Sequence, residues 1–262
     1  AYSANLDFIK KIGVAHEFFY GVESVVNQVN SEGFSTDIIT LQEQNIQTRY
    51  PDALWLSNAI YLTDHIQIYE KLSVDAGIRF SQFAMNAEFD QRFIQLPFQK
   101  INLNKAALNG SLGVLYRPID SWVLSARLST GFRAPNVDDV GKIFNSEDFA
   151  VVVPNDKLTA EYAYNAELST SKTFGSVWEL DITGFYTYLN NALVRRNSSL
   201  NGNDSLFFDG GLKRIQTVQN AAFVEVFGLK MGLEVLITKR IKFESKLNIQ
   251  RGTEELDDGS AS

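Results

Sequence analysis

Cysteine is absent from this chain of 262 residues. Neither a disulfide scaffold nor a thiolate metal centre can be built, although that alone names no compartment. Histidine is nearly absent as well, with His16 and His65 the only two. No G-x-S-x-G elbow occurs, so Ser-His-acid chemistry has no local signature. Phosphate loops of the G-x-x-x-x-G-K type and EF-hand loops are also missing. Positive charge is not in excess: Lys and Arg number 24 against 31 Asp and Glu, for a net charge of −7. That balance argues against a nucleic-acid partner. Finally, there is no run of about 18 apolar residues, hence no transmembrane helix. A transmembrane strand would leave no such trace, being about 10 residues long and alternating.

What is present is alternation. Hydrophobic residues make up 45% and charged residues 21% of the chain, too apolar a mixture for disorder. Trp122, Leu124, Ala126, Leu128 and Thr130 alternate with Val123, Ser125, Arg127 and Ser129, a period of two. After a loop, a strand from near Glu161 turns at Gly175-Ser176 and returns to Leu189. On the return, Trp178, Leu180, Ile182, Tyr186 and Tyr188 share one face and Glu179, Asp181, Thr183 and Thr187 the other. The same two-sided pattern recurs from Val14 to Asn30, around Val74 to Ser81, Leu108 to Arg117, Phe227 to Ile237 and Ile241 to Gln250. Leu54 to Tyr69 reads as a strand without assignable faces, and Ala1 to Ile9 as the tail of one.

About ten strands result, each long enough to cross a membrane at a tilt. Short turns near Lys10, Lys71, Ile119, Gly175 and Lys239 alternate strictly with long connections over 31–53, 90–105, 131–160 and 196–214. Outer-membrane barrels are built this way, with short periplasmic turns and long extracellular loops. A soluble sandwich mixes its loop lengths. The apolar face would then meet lipid. The face bearing Glu179, Asp181, Lys230, Glu234, Lys242, Glu244, Lys246, Arg79 and Arg127 would line a wet lumen, since a charge at the bilayer midplane costs several kcal/mol. Tyr116, Tyr162, Tyr164, Trp178, Tyr186 and Tyr188 suit interfacial girdles. Within the third long loop, Val137 to Phe144 has room for a short helix.

One sequence of motifs runs through the second half. Gly131-Phe132-Arg133-Ala134-Pro135-Asn136 is followed by Asn155, Leu158 and Glu161 in N-x-x-L-x-x-E spacing, then by Glu167-Leu168 and Phe185-Tyr186. In order and spacing this resembles the late barrel strands of TonB-dependent receptors, outer-membrane transporters of Gram-negative bacteria. Asn220 with Gly228 is similar to a further family strand, although Lys230 stands where the family usually has Glu. The resemblance implies an all-β, antiparallel transmembrane β-barrel. Residues 1–262 would be a partial barrel domain, a fragment of about ten strands out of about 22. The chain begins without Met or signal peptide and ends in a polar run, so an internal piece of a longer receptor is expected, with its N-terminal plug elsewhere. The implied partners are outer-membrane lipid, the TonB complex acting through that plug, and an extracellular nutrient such as a ferric siderophore or haem. No cofactor, metal or catalytic residue is implied.

The candidate residues carry bland readings beside sharper ones. Arg133 is expected to anchor its loop by pairing with Glu161 or Glu167, while Pro135 restrains Ala134; substrate contact is the alternative. Asp138-Asp139, Glu147-Asp148 and Asp257-Asp258 read as solvated loop charge. His16 falls among Val14, Phe18 and Tyr20 on an apolar face. No histidine lies between Arg133 and Asn155, where haem-importing relatives are expected to carry one. The long loops are the expected ligand-binding elements. A passive porin, a membrane-embedded barrel enzyme and a barrel of the assembly machinery remain as other readings.

Overall fold

The computed structural model describes residues 1–92, 94–147, 149–220 and 223–255, with only the backbone of Glu147. Asp148, Asp257 and Asp258 therefore lie outside the described residues. In chain order the strands are β1 (Tyr2–Ile12), β2 (His16–Val29), β3 (Phe34–Thr36), β4 (Glu43–Asn45), β5 (Asp52–Tyr69), β6 (Leu72–Glu88), β7 (Lys100–Ile119) and β8 (Trp122–Arg133). A short helix α1 (Val137–Gly141) follows, then β9 (Phe144–Glu147), β10 (Ala150–Val153), β11 (Glu161–Phe174) and β12 (Trp178–Asn190). The last five are β13 (Leu193–Asn197), β14 (Ser205–Phe208), β15 (Gly211–Asn220), β16 (Phe223–Thr238) and β17 (Ile241–Glu254).

Ten long strands form one antiparallel sheet in the order β1-β2-β5-β6-β7-β8-β11-β12-β16-β17. Each of the eight inner strands pairs with the long strand before and after it, and the edge strands β1 and β17 pair on one side, with β2 and β16. The turns fall at 13–15, 70–71, 120–121, 175–177 and 239–240, and every longer connection emerges at the opposite end. Two expectations shift. Val14 sits in the first turn and not on a strand face, and β1 runs on to Ile12. Gly131 and Phe132 do not open the third loop: β8 continues to Arg133, held by pairing of Gly131 with Ala163 and Arg133 with Glu161.

Side-chain rows cross the sheet without changing character. On one face Leu6, Val22, Ile60, Phe80 and Leu108 lie side by side. Further along, Leu112, Leu128, Ala166, Tyr186 and Phe227 form another such row. All of these but the half-buried Ala166 are exposed, Leu128 at 60% and Ile60 at 58%, as is Leu168 beyond them at 68%. In water a contiguous apolar wall of this extent would aggregate; against acyl chains it is the stable arrangement. The opposite face carries Glu17, His65, Asp75, Gly113, Arg127 and Glu167 in one row. Its charges answer one another: Arg79 reaches Glu23 at 2.9 Å, and Lys242 reaches Glu234 at 2.8 Å and Glu244 at 2.6 Å. Lys230, the departure from the family pattern, lies 4.9 Å over the Phe185 ring. Gly228 makes room for that ring: a Cβ there would stand 2.7 Å from Phe185 and 2.6 Å from the Ile249 carbonyl oxygen.

The long connections are not bare loops. β13, β15, β10 and β9 form a second sheet, with β14 against β15, and β3 pairs with β4. Ala150-Val151-Val152-Val153 is buried throughout and pairs parallel with β15 and antiparallel with β9. A short continuous apolar run of this kind is how a strand covered on both faces reads in sequence. This cap joins the molecule's apolar core. Val137, Val140, Ile143, Val151, Leu158 and Ile215 cluster with Ala53, Met85, Ala87, Ile101 and Leu103 of the main sheet. The sheet residues belong to the polar-face alternation, so the cap folds inward over the upper half of that face. The lumen-side wall is thus richest in charge in its lower half and largely apolar above, apart from the Arg133–Glu161 pair at the loop end.

Candidate functional site

The motif residues noted in sequence converge where β8, α1, β11 and β13 meet. Arg133 donates through Nη1 to Glu161 Oε2 at 2.6 Å and through Nη2 to Asp139 Oδ1 and Oδ2 at 2.6 and 2.7 Å. Glu161 is buried, and its second oxygen accepts the Leu193 backbone N–H at 2.6 Å. Of the two carboxylates expected for Arg133 the structure thus uses Glu161, while Glu167 lies across from Arg127 further down the sheet. Asn136 caps α1: its Oδ1 accepts the Asp139 N–H and its own N–H donates to Asp139, both at 3.0 Å. This reciprocal box satisfies two helix-end donors at once. Gly141 packs its bare Cα against Pro51, where a Cβ would stand 2.6 Å from the ring.

The second half of the motif knits the cap. Asn155 donates to the Val218 carbonyl at 2.8 Å and accepts Lys157 N–H at 3.0 Å. Leu158 is 2% exposed, in the middle of the shared core. Asn220 accepts Thr159 N–H at 2.8 Å and donates to the carbonyls of Thr159 and Asn191. Three separate connections are therefore pinned to one another by asparagine amides. Phe132 stacks on Phe83 with ring centres 5.8 Å apart.

Asp138 and Asp139 are not merely solvated, as expected from sequence. Asp139 belongs to the Arg133 node just described. Asp138 accepts Tyr50 OH at 2.9 Å and pairs with Lys142 at 2.9 Å. Burial pushes the Asp138 carboxyl up, but hydrogen bonds from Lys142 and Tyr50 and the positive charges of Lys142 and Arg49 outweigh it, holding the group below the ordinary aspartate range. The signal was present in the sequence: an Asn three residues before an Asp is a capping box. His16 stacks on Phe18 and places Nδ1 2.7 Å from Asp64 Oδ2; His65 faces Asp75 at 2.8 Å on the other side of β5. The two histidines thus sit in separate hydrogen bonds to carboxylates near the short-turn end.

Two hollows open beneath and beside the cap. One, of about 600 Å³, is lined by Tyr50, Trp55, Phe83, Phe132, Val137 and Arg133 among others. Its aromatic walls come from β5, β6, β8 and the connection before β5, a convergence that no local motif announces. The other, of about 410 Å³, lies where the connections after β2 and β6 meet, with Glu32, Asp52, Asp90 and Arg92 in its lining. Among the described residues no group of three or more His, Cys, Asp or Glu is placed to hold a metal ion.

Residues 1–243 match the family described as TonB dependent receptor-like, beta-barrel. Hemoglobin-haptoglobin utilization protein B of Neisseria meningitidis serogroup A is 29% identical over 154 residues, which are 57% of this chain and 18% of that protein. The chain thus spans less than a fifth of the curated relative it matches. Among solved structures, the copper transporter OprC is similar with a TM-score of 0.75 at 13% identity, over 96% of this chain and 37% of that one. The FrpB iron transporter from Neisseria meningitidis (F3-3 variant) is similar at 0.68 and 15% identity, over 98% of this chain and 36% of that one. The Serratia marcescens hemophore receptor HasR, solved with its hemophore HasA and heme, is similar at 0.72 and 12% identity, over 96% of this chain and 41% of that one. At these identities the structures establish the fold alone.

Proposed function

Because the chain belongs to the TonB-dependent receptor family of outer-membrane β-barrels, we propose that it is the barrel part of an active nutrient importer. The whole of residues 1–262 would belong to that barrel domain. Members of this family are receptors and transporters. For this chain the inferred task is binding and conduction without bond-making chemistry. The cargo is a scarce extracellular nutrient such as a ferric siderophore or haem, and energy arrives from the TonB complex through a plug encoded outside this sequence.

The observation that carries this reading is the inward cap. A passive porin needs an open aqueous lumen. Here connections from four hairpins are welded into one folded body over the lumen-side wall, which suits capture of a ligand better than free diffusion. The motif residues Gly131, Phe132, Arg133, Ala134, Pro135, Asn136, Asn155, Leu158 and Glu161 serve, in this reading, as the brace that holds the cap at a fixed height. Binding residues then lie on the cap and on the connections 31–53, 90–105, 131–160 and 196–214. Similarity to a haemoglobin–haptoglobin utilization protein favours haem among the cargoes, whereas the histidine-free span from Arg133 to Asn155 favours the siderophores.

The test is growth of a strain lacking the full-length protein on defined iron, haem, copper, cobalamin and glycan sources. Loss of growth on one of them, restored by the gene, names the cargo. Wild-type growth on all of them overturns import.

A further inference from the structure

A cation stands on the lipid-facing side of the sheet with no anion of the protein beside it. Lys172 of β11 pairs with Trp122 of β8 and Leu180 of β12, and by alternation it shares the outer face of Ala166 and Leu168. Its ammonium lies 4.7 Å from the centre of the Trp122 ring and 5.3 Å from that of Phe174. Among the described residues it makes no ion pair. Trp122 is itself fixed, its Nε1 donating to Thr170 Oγ1 at 2.9 Å. The two rings steady the ammonium through their electron-rich faces and leave its charge uncancelled. On the lumen side Lys242 is met by both Glu234 and Glu244.

Depth decides what can answer that charge. Lys172 stands two residues before β11 ends at Phe174, which at about 3.3 Å per residue is within about 7 Å of the short-turn rim. Phe174, Val177 and Trp178 are exposed there, the kind of fringe that sits at the headgroup boundary. A lysine at this level extends its ammonium to the headgroups and leaves its stem in hydrocarbon. Further from the rim, the same strands form a groove of about 550 Å³ lined by Ala126, Ala166 and Gly184 with the longer Leu128 and Leu168. Arg127, Glu167 and Phe185 of its lining belong to the lumen-side alternation. A Cβ at Gly184 would meet nothing within 4 Å, so the space over that backbone is open. Leu168 is four residues from Lys172, about 13 Å along the strand, inside the about 15 Å of hydrocarbon that one leaflet supplies.

We propose that the outer face of β8, β11 and β12 is a binding site for one glycerophospholipid of the periplasmic leaflet. Its phosphate sits on the Lys172 ammonium beside Trp122 and Phe174, and one acyl chain lies in the groove over Gly184. A phosphate oxygen gives Lys172 the charge-assisted hydrogen bond that no side chain supplies. The groove removes one chain from the fluid bilayer and fixes the lipid lengthwise. The site needs the membrane setting alone and stands apart from the import reading.

The test titrates the full-length protein in detergent with palmitoyl-oleoyl phosphatidylglycerol and counts bound lipid by native mass spectrometry. The comparison probe is palmitoyl-oleoyl glycerol, which has the same chains and no phosphate. The parent protein is expected to hold the phosphatidylglycerol about tenfold more tightly than the diacylglycerol, the scale of one hydrogen bond to a charged group. Lys172→Gln removes a charge from a lipid-facing position, which does not threaten assembly. It should weaken phosphatidylglycerol about tenfold and leave diacylglycerol unchanged, while Lys172→Arg keeps the preference. Gly184→Leu fills the groove and weakens both lipids. Lys242→Gln removes an equal charge from the lumen wall and leaves both as in the parent. The proposal is overturned by equal retention of the two lipids in the parent, or by Lys172→Gln binding phosphatidylglycerol as the parent does. It is overturned equally by an undiminished affinity in Gly184→Leu, or by a loss in Lys242→Gln as large as that in Lys172→Gln.

Discussion

The main sheet and the cap on its lumen side are built from the same kinds of residue in opposite arrangements. In the sheet, Leu128, Leu168 and Ile60 face outward and stay exposed, while Arg79, Glu23, Arg127 and Glu167 face inward. In the cap, Val140, Val151 and Ile215 are buried together, with Thr217 of β15 buried on its bond to the Val153 carbonyl. Both obey one rule, that apolar surface avoids water. What differs is where the water is. The sheet is solvated by acyl chains outside and water within, so it is turned inside out. The cap is surrounded by water and the lumen, so it folds as soluble proteins do. The upper inner face of β5–β7 is the seam: Met85, Ala87, Ile101 and Leu103 keep the strand alternation but exchange lumen water for the cap's core.

The sharpest way to break that comparison is to injure each part by its own physics. Leu158→Ala deletes a side chain that is 2% exposed at the centre of the shared core, a change that costs about 2–5 kcal/mol in a packed interior. Hydrogen exchange should then rise across α1, β10 and β15 while β11, β12 and β16 keep their protection. Equal loosening of the long strands would show that cap and sheet are one cooperative unit. Leu168→Arg attacks the sheet instead, placing a cation on the lipid face at about 2–4 kcal/mol if the site lies near the midplane. Its neighbour Ser169, on the other face, loses only its 2.6 Å bond to Ser125 when changed to Arg, worth about 1 kcal/mol. Urea midpoints of the protein refolded into bilayers should fall much further for Leu168→Arg. Equal midpoints would remove the assignment of faces.

The sheet was legible in the sequence because its constraint is local. A period of two with one face forbidden to charge fixes each strand's orientation, and the alternation of short and long connections fixes the rim. β5 resisted for a physical reason: Asn58 on the apolar face takes a hydrogen bond from Ser24, and Asp64 is paired with His16, so polar residues stand where apolar ones were required. The cap was not legible beyond α1. Six of its strands are only three to five residues long, too short for alternation to stand out; β15 has ten residues but spaces Leu212, Ile215 and Val218 by three, and β10 is two-sided and hence without alternation. Its core is assembled from Leu158, Leu200 and Ile215 with strand residues a hundred positions away, which no local pattern encodes. The brace was half visible. Arg133, Asn155 and Glu161 stood out by spacing, whereas Asp139 was dismissed as loop charge because its partner Arg133 comes from the preceding strand.

The brace offers a finer cut between the two regions. Glu161 belongs to the sheet by position and to the cap by its bonds, accepting Arg133 and the Leu193 N–H. Glu161→Ala leaves that part-buried N–H without its acceptor, worth about 1 kcal/mol. Arg133 is 49% exposed at its side chain, so solvent screens its own loss, and Asp139 still holds it. Protease nicking should therefore appear first in the connection from Asn191, and later in α1. Simultaneous nicking of both would mean that the node is a single lock.

The smallest effect separates the regions by pH. Asp138 is held below the ordinary aspartate range chiefly by its bonds to Lys142 and Tyr50, which outweigh burial. A carboxylate with a depressed folded pKa stabilises the fold above its unfolded pKa, and that contribution disappears as pH falls through the folded value. The carboxylate is half exposed, so salt screening keeps the effect small. Exchange protection in α1 and around Tyr50, corrected for intrinsic rates, should decline on acidification through and below the ordinary aspartate range. Asp138→Asn should flatten that decline, and high salt should shrink it in the parent protein. An unaltered decline in Asp138→Asn would mean that the Tyr50 contact is not the place where acid loosens the cap from the sheet.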